Sequence, residues 1–367
     1  MATQTATQTT VQPALLFMPD ISGFTDFVTN TEITHAQNII QEVLEVIIES
    51  NQLNLEVGEI EGDAVFFYRI GNPPDLQQLL QQVQTMFTRF HQHLKLYDHQ
   101  RICPCGACKS AVDLKLKFIA HFGEVAGYTV KKHSKLFGKD VIVIHRLLKN
   151  SLNKKEYALF TEPLVKGAQP AQNTPSWFEP EDAAEQYDVG EIKFKIVDLE
   201  KLHQELPPVQ PPVINLSQQA KTVFTEERSI AAPMWNVFAA IFDLEQRPKW
   251  MEGIKAVEMI SKDNINRVGT VHKCIVKEKN NPVIVTEKAS IDSDKIELVE
   301  MDDKGMGGCR YVVEKAGENA SKLKIDMLVK NNPFVGAMFS LFMKNKMKKR
   351  IVKSIDNLHR FLQQSQN

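Results

Sequence analysis

The chain has 367 residues, and its 44 Lys and Arg stand against 45 Asp and Glu for a formal net charge of −1. That length exceeds one ordinary core and points to two domains, while the balanced charge gives no footprint for nucleic acid or an acidic partner. Hydrophobic residues make up 43%, as in an ordinary globular protein, and the longest apolar run, Phe334 to Met343, is about half of what a spanning helix needs.

Residues 1–12 are rich in Thr and Gln and carry no basic region followed by an apolar stretch, so they read as a disordered tail rather than a secretory signal. A first domain is expected over 13–205. Ala14 to Pro19 forms a buried-type strand, and Thr34 to Ser50 a helix with Ile39, Ile40, Val43, Val46 and Ile47 at helical spacing. Leu53, Leu55 and Val57 alternate, and Val65 to Tyr68 returns across the turn Gly62-Asp63, which predicts a hairpin. From Asp75 to about Tyr97, Leu76, Leu79, Leu80, Val83, Met86, Phe87, Phe90 and Leu94 recur at steps of three and four, the stripe of an amphipathic helix. Leu114, Leu116, Phe118 and Ala120 alternate as a central strand, with a helix following near Asp140 to Lys149. This order predicts an α+β fold, a ferredoxin-like sandwich with helices on one sheet face.

Residues 206–220 hold Pro207, Pro208, Pro211 and Pro212 and read as an extended linker. The stretch from Gly167 to Glu181 reads instead as a loop within the first domain. After the linker, over 221–365, Val223 to Ile230 is a strand, Pro233 opens a helix and Trp250 ends a second short one. Several strands follow between turns at Asn280-Asn281, Asp302 to Gly308 and Gly317 to Ala320, and Pro333 to about Gln363 closes the chain as one long helix. A curved antiparallel sheet around a long helix, a helix-grip domain, packs those parts.

The chemistry centres on Asp20 and Asp63. Asp20 is followed by Ile21-Ser22-Gly23-Phe24-Thr25, where the glycine lets the chain turn beside the carboxylate, and Asp63 sits in the hairpin turn. Two readings stand: carboxylates at neighbouring strand tips that share divalent metals over a triphosphate, or turn aspartates that cap strands.

Phe17-Met18-Pro19-Asp20-Ile21-Ser22-Gly23-Phe24-Thr25 and Glu59-Ile60-Glu61-Gly62-Asp63 resemble the two metal-aspartate motifs of class III adenylate and guanylate cyclases. His121-Phe122-Gly123-Glu124-Val125, Leu136-Phe137-Gly138 and Arg146 resemble a third block of that family, so the likeness spans roughly Ala14 to Ile196. It implies Mg²⁺ or Mn²⁺ held by Asp20, Asp63 and the Ile21 backbone carbonyl, with Arg146 stabilising charge on the transferring phosphoryl group of a nucleoside triphosphate, typically across a homodimer interface. It implies nucleotide contacts from Phe24, Thr25 and Glu59, the last as a guanine reader. The chain departs from the pattern where Lys135 replaces the second base-reading residue and Ile142 the ribose-orienting asparagine. An isoleucine has no hydrogen bond to offer there.

The sequence is nearer to a cyclase-related bacterial family of unknown function that shares Glu-Gly-Asp-Ala-Val-Phe-Phe and a Cys-x-Cys-x-x-Cys insert, here Cys103, Cys105 and Cys108. These three thiols either bind Zn²⁺, with His99 or His121 as a fourth ligand, or belong to a tight loop with ordinary free thiols. Five cysteines in all, with these three crowded together, fit a reducing cytoplasm better than a disulfide scaffold. Elsewhere, His91 and His93 are read on the polar side of their helix, and neither they nor His145 forms a triad.

From Val223 onward the chain resembles the polyketide-cyclase, START and Bet v 1 superfamily through its order of elements and through Ser229-Ile230-Ala231-Ala232-Pro233, Trp235 and Phe238. That implies a cavity for an apolar small molecule or lipid. Trp250, Met251, Met301, Tyr311, Phe339, Phe342 and Met343 are its candidate lining, with plain core filling as the other reading. Lys344, Lys346, Lys348, Lys349, Arg350 and Lys353 either meet anionic lipid or form a solvated face. Two functions follow: a non-catalytic or divergent nucleotide- and metal-binding sensor coupled to a ligand pocket, or an active metal-dependent cyclase using GTP or ATP.

Overall fold

The run Ala14-Leu15-Leu16-Phe17-Met18 offers water no polar side chain on either face, and in the computed structural model it is the buried middle of a sheet. The structure describes residues 10–31, 33–100, 106–130, 133–208, 214–261, 268–276 and 281–364. Among them, 10–98 and 106–208 form one compact unit and 214–364 the body of another.

In the first unit the chain runs β1 (Val11–Ser22), α1 (Phe24–Thr29), α2 (Ile33–Glu49), β2 (Glu56–Glu61), β3 (Ala64–Ile70), α3 (Leu76–Gln100), α4 (Gly106–Ser110), β4 (Lys115–Val130), β5 (His133–Phe137), α5 (Lys139–Leu148), β6 (Tyr157–Thr161), α6 (Glu162–Gly167), β7 (Glu181–Tyr187), β8 (Gly190–Asp198) and α7 (Glu200–Gln204). The sheet order is β2-β3-β1-β4-β6-β8-β7, with β5 paired to the far end of β4. Its part β2-β3-β1-β4 is antiparallel throughout, which is the ferredoxin-like arrangement the sequence predicts. β6, β7 and β8 extend it, with β6 parallel to β4.

Two details differ from the sequence reading. Leu53 and Leu55 are buried but precede β2 rather than forming part of it. Helices do not keep to one face: Val143, Ile144 and Leu147 of α5 pack with Ala14, Leu16 and Met18, whereas Leu15 and Phe17 point to the opposite side, where Phe17 stacks on Phe118 at 5.8 Å. Both faces of a central strand need cover, and the continuous apolar run already required it.

The second unit runs β9 (Ala220–Ile230), α8 (Met234–Phe242), α9 (Arg247–Trp250), β10 (Ile254–Met259), β11 (Val271–Val276), β12 (Val283–Ile291), β13 (Lys295–Asp302), β14 (Gly307–Lys315), β15 (Ser321–Lys330), α10 (Pro333–Met338), a π-helical turn (Phe339–Met343) and α11 (Lys344–Gln364). All sheet neighbours are antiparallel in the order β10-β11-β12-β13-β14-β15-β9. Asn332 caps the closing helix, its side chain accepting from the backbone N–H groups of Phe334 and Val335, and Pro333 takes the first turn, where no N–H is needed. The π turn re-phases the apolar stripe. Beyond it Ile351, Ile355, Leu358 and Leu362 are buried at helical spacing, while before and within it Phe334, Leu341 and Phe342 are more than 70% exposed. No helix among the described residues is long and apolar enough to cross a membrane.

Leu358 is fully buried on α11, which packs against α8, α9 and β9. Leu358→Ala is expected to lower the stability of this unit by roughly 2–5 kcal/mol through the cavity left behind. The exposed Lys349→Ala is expected to stay within about 0.5 kcal/mol of the parent. Urea denaturation of both variants checks this.

Candidate functional site

The pairing of β1 with β3 and β4 sets the first site. Asp20 lies opposite Ala64 on β3 and opposite Lys117 on β4, so the neighbouring Asp63, in the hairpin turn with Gly62 at φ 65, comes alongside Asp20. The backbone N–H of Ile21 donates to the Asp63 carbonyl at 3.1 Å. Asp20 sits inside β1, which runs on to Ser22, and Gly23, left-handed at φ 89, makes the turn into α1. Burial, reinforced by the charge of Asp20, raises the Asp63 carboxyl to about 6.

Lys117 was not marked by any motif. Its ammonium lies 2.9 Å from Asp20 Oδ2, with both side chains largely buried, and it also donates to the Leu148 carbonyl at 3.3 Å. Two crowded carboxylates that repel one another are a donor set for a hard divalent cation, and Asp20, Asp63 and the Ile21 carbonyl would hold it. Lys117 already supplies one positive charge there, so a metal ion competes with it.

The positions expected to contact a nucleotide are matched differently. Lys135 sits with its ammonium 2.9 Å from both carboxylate oxygens of Glu59. Arg146 makes a bidentate pair with Asp188, at 3.1 and 2.8 Å. Both pairs are solvent-exposed, where an ion pair contributes little to stability and yields readily to a competing ligand. Ile142 is 46% exposed on α5 and presents only methyl groups. Phe24 is half-buried and Thr25 exposed. The base-reading and phosphoryl positions thus carry exposed ion pairs within the chain, and the ribose position an apolar side chain.

The third motif has a structural job. His121 is buried between Thr161 Oγ1 at 2.8 Å and Asp140 Oδ1 at 2.9 Å, and the other Asp140 oxygen accepts from the Glu124 N–H. A side chain at residue 123 would collide with Asp140, its Cβ falling 2.2 Å from Cγ, which explains Gly123. With both ring nitrogens engaged, His121 is not the spare zinc ligand the sequence suggested. Cys103, Cys105 and the side chains of Cys108 and His99 lie outside the described residues. His91 is also corrected: it is 3% exposed, packed against Phe87 and Phe90 rather than on a polar face. His93 contacts Glu42 at 3.0 Å.

In the second unit, strand alternation separates the proposed lining residues. Met301 packs with Val299, Leu328 and Leu216, whereas its neighbour Glu300 pairs with Arg247 of α9. Met301 is thus core on the sheet face away from that pair, the period of two having put it there. Phe342 and Met343, 71% and 50% exposed, face solvent instead of a cavity. Trp250 is buried, its indole N–H donating to Ala240 O at 2.9 Å, and Met251 is half-buried beside it. Tyr311 and Phe339 are buried.

Sequence reasoning missed the polar group at the heart of this unit. Arg247 is 1% exposed and forms two bonds to Glu300, at 2.9 and 2.7 Å, and one from Nε to Ile241 O at 2.9 Å. His272 Nε2 lies 3.4 Å from Arg247 Nη1. A guanidinium only donates, so Nε2 accepts and the neutral ring carries its proton on Nδ1. That Nδ1 is buried without a partner. Burial, opposed by Glu300 and aided by Arg247, lowers the imidazole to about 4, while burial pushes the Cys274 thiol up to about 11. One buried N–H donor is therefore unmet beside a paired arginine and glutamate. The signal was present in the strand Val271-His272-Lys273-Cys274, whose alternation turns His272 and Cys274 inward.

Residues 40–157 match the model of a family described as a protein of unknown function, DUF2652. Residues 221–363 match the family described as polyketide cyclase / dehydrase and lipid transport. The two matching stretches lie on either side of the proline-rich residues 206–220. Over 130 residues it is 35% identical to an uncharacterized protein of Mycobacterium tuberculosis, covering 33% of this chain and 56% of that protein. Among solved structures it is similar to a bacterial light-regulated adenylyl cyclase, at 15% identity, with 54% of this chain and 57% of that one covered and a TM-score of 0.38. It is also similar to a dimeric guanylyl cyclase domain from the aquatic fungus Blastocladiella emersonii, at 15% identity, with coverages of 51% and 97% and a TM-score of 0.36. The chain thus spans just over half the length of the curated relative and of the first of these structures.

The state of His272 sets a pH dependence. Unfolded, its imidazole takes up a proton near 6.5, and in the lipid-transport-type domain only near 4. The unfolded chain binds more protons between those values, so this contribution to stability is complete above pH 6.5 and is lost as pH falls toward 4. Denaturation of wild type at pH 6.5 and pH 5 is expected to show a loss larger than that of His272→Asn by roughly 1–2 kcal/mol.

Proposed function

We propose that the protein is a ligand-binding sensor: its lipid-transport-type domain holds an apolar small molecule or lipid, and its DUF2652-containing unit is a divergent nucleotide- and metal-binding module that does not turn a triphosphate over. The observation that carries this reading is the matching of charge within the first unit. Asp20 is paired with Lys117, Glu59 with Lys135 and Arg146 with Asp188. Phosphoryl transfer relies on charges aimed at the transferring group and idle until it arrives. Arg146 is held by its own chain, although a transition-state arginine acting across a homodimer must be free to leave it. The crowded carboxylates of Asp20 and Asp63 support retained cation binding, with Mg²⁺ or Mn²⁺ the suitable ions.

For the second domain, the unmet His272 N–H supports a ligand whose apolar body carries a hydrogen-bond-accepting oxygen, such as a carbonyl or hydroxyl. Arg247 and Glu300 cancel one another's charge, which favours an uncharged acceptor over a carboxylate.

The purified chain, incubated with GTP or ATP and Mn²⁺, is expected to form no cyclic nucleotide above a protein-free control. Calorimetric titration with a non-hydrolysable GTP analogue in Mn²⁺ is expected to show weak binding that Asp20→Asn/Asp63→Asn abolishes. Sustained product formation by wild type, lost in that double variant, would overturn the non-catalytic reading in favour of an active cyclase.

A further inference from the structure

A second group of metal-type ligands lies in the first unit, remote in sequence from the aspartate pair. His91 projects from α3, Glu156 immediately precedes β6 and His203 belongs to α7. One ligand atom from each falls within 4.8 Å of the others. His91 Nε2 is 2.6 Å from Glu156 Oε1, and His203 Nδ1 is 3.2 Å from Glu156 Oε2. The two imidazole rings lie 4.6 Å apart between centroids.

These contacts are close without being good hydrogen bonds. His91 Nε2, Glu156 Oε1 and His203 Nδ1 are all buried, and none has a hydrogen-bond partner of acceptable geometry. The His91 side chain is only 4% exposed, so no water substitutes readily for the missing partner, and such a group is costly to leave unmet. Three converging lone-pair donors, each unsatisfied, are what a central cation would satisfy at once.

We propose that His91, Glu156 and His203 bind a zinc ion, supplying two imidazole nitrogens and a carboxylate oxygen, with water as the fourth ligand. Two histidines and a carboxylate form a common zinc set, with bonds of about 2.0–2.2 Å. Tetrahedral placement at that radius separates the donors by about 3.3–3.5 Å, so the 2.6 Å contact of His91 with Oε1 opens on binding, and the carboxylate turns to offer one oxygen to an ion shared with His203, now 3.2 Å from Oε2.

Lys115 is the competitor, its ammonium 3.4 Å from Glu156 Oε2. It is 31% exposed and turns to water when the ion enters, so entry is from the side of Lys115 and His203. The consequence is structural. α7 has five residues, too few to hold itself together, and the metal bond at His203 adds to buried Leu202 and to the edge contact of His203 with Phe87 of α3 in holding it.

The test must exclude the thiols of Cys103, Cys105 and Cys108, so it starts from full-length protein with those three changed to serine. Incubated with zinc and desalted, this protein is expected to carry one zinc per chain by elemental analysis and to melt at a higher temperature than after chelator treatment. Adding His203→Gln, at a partly exposed position, or Glu156→Gln is expected to reduce zinc at least tenfold and remove the thermal shift, with circular dichroism confirming the fold. Cobalt in place of zinc is expected to give visible bands without thiolate charge transfer. A serine variant with no zinc above background, or one that keeps its zinc after His203→Gln, overturns the site.

Discussion

A charge taken out of water must meet an opposite charge or a full set of hydrogen bonds, and this constraint organises both units. In the lipid-transport-type domain Arg247 would be untenable without Glu300. Removing one partner of such a pair typically costs about 3–5 kcal/mol, so α9 and β13 are bound to one another electrostatically as well as by packing. In the first unit Asp20 is tolerated at 6% exposure because the β1–β4 register sets Lys117 across from it. The same pairing leaves the aspartate site partly neutralised before any ligand arrives.

Much of the frame is legible in the sequence. The apolar run at Ala14 to Met18, the stripe of α3 and the turn at Gly62-Asp63 are local patterns, and they yielded the ferredoxin-like order correctly. Their families, a DUF2652 segment and a polyketide cyclase / dehydrase and lipid transport domain, were legible from short motifs and from the order of elements. What was not legible depends on long-range partners. Lys117 and Asp188 look like ordinary surface charges until strand register and loop position bring them to Asp20 and Arg146. Met301 was misplaced because an apolar residue in an alternating strand belongs to a face, and only the pairing shows which face is which. Phe342 and Met343 failed for a different reason: Phe342 stands about two and a half turns before Ile351, on the side of the helix opposite the buried stripe, and Met343 lies next to it.

The chemistry of the two interiors differs accordingly. Around Asp20 and Asp63 the charges are compensated and the outer pairs are exposed, an arrangement suited to binding a cation or anion by exchange of partners. Around His272 the buried charges of Arg247 and Glu300 are paired and one N–H lacks an acceptor, an arrangement suited to orienting an apolar molecule by a single polar atom. Binding rather than turnover is the reading proposed for both.

The most direct measurement of that claim is native mass spectrometry of the protein as purified, compared with the same protein after organic extraction and with His272→Leu. The account predicts a bound apolar compound carrying a carbonyl or hydroxyl oxygen, released by extraction and depleted at least several-fold in His272→Leu, which no longer offers the Nδ1 donor. A wild-type protein that stays free of any such compound after incubation with a lipid extract, or a compound retained equally by His272→Leu, would contradict it.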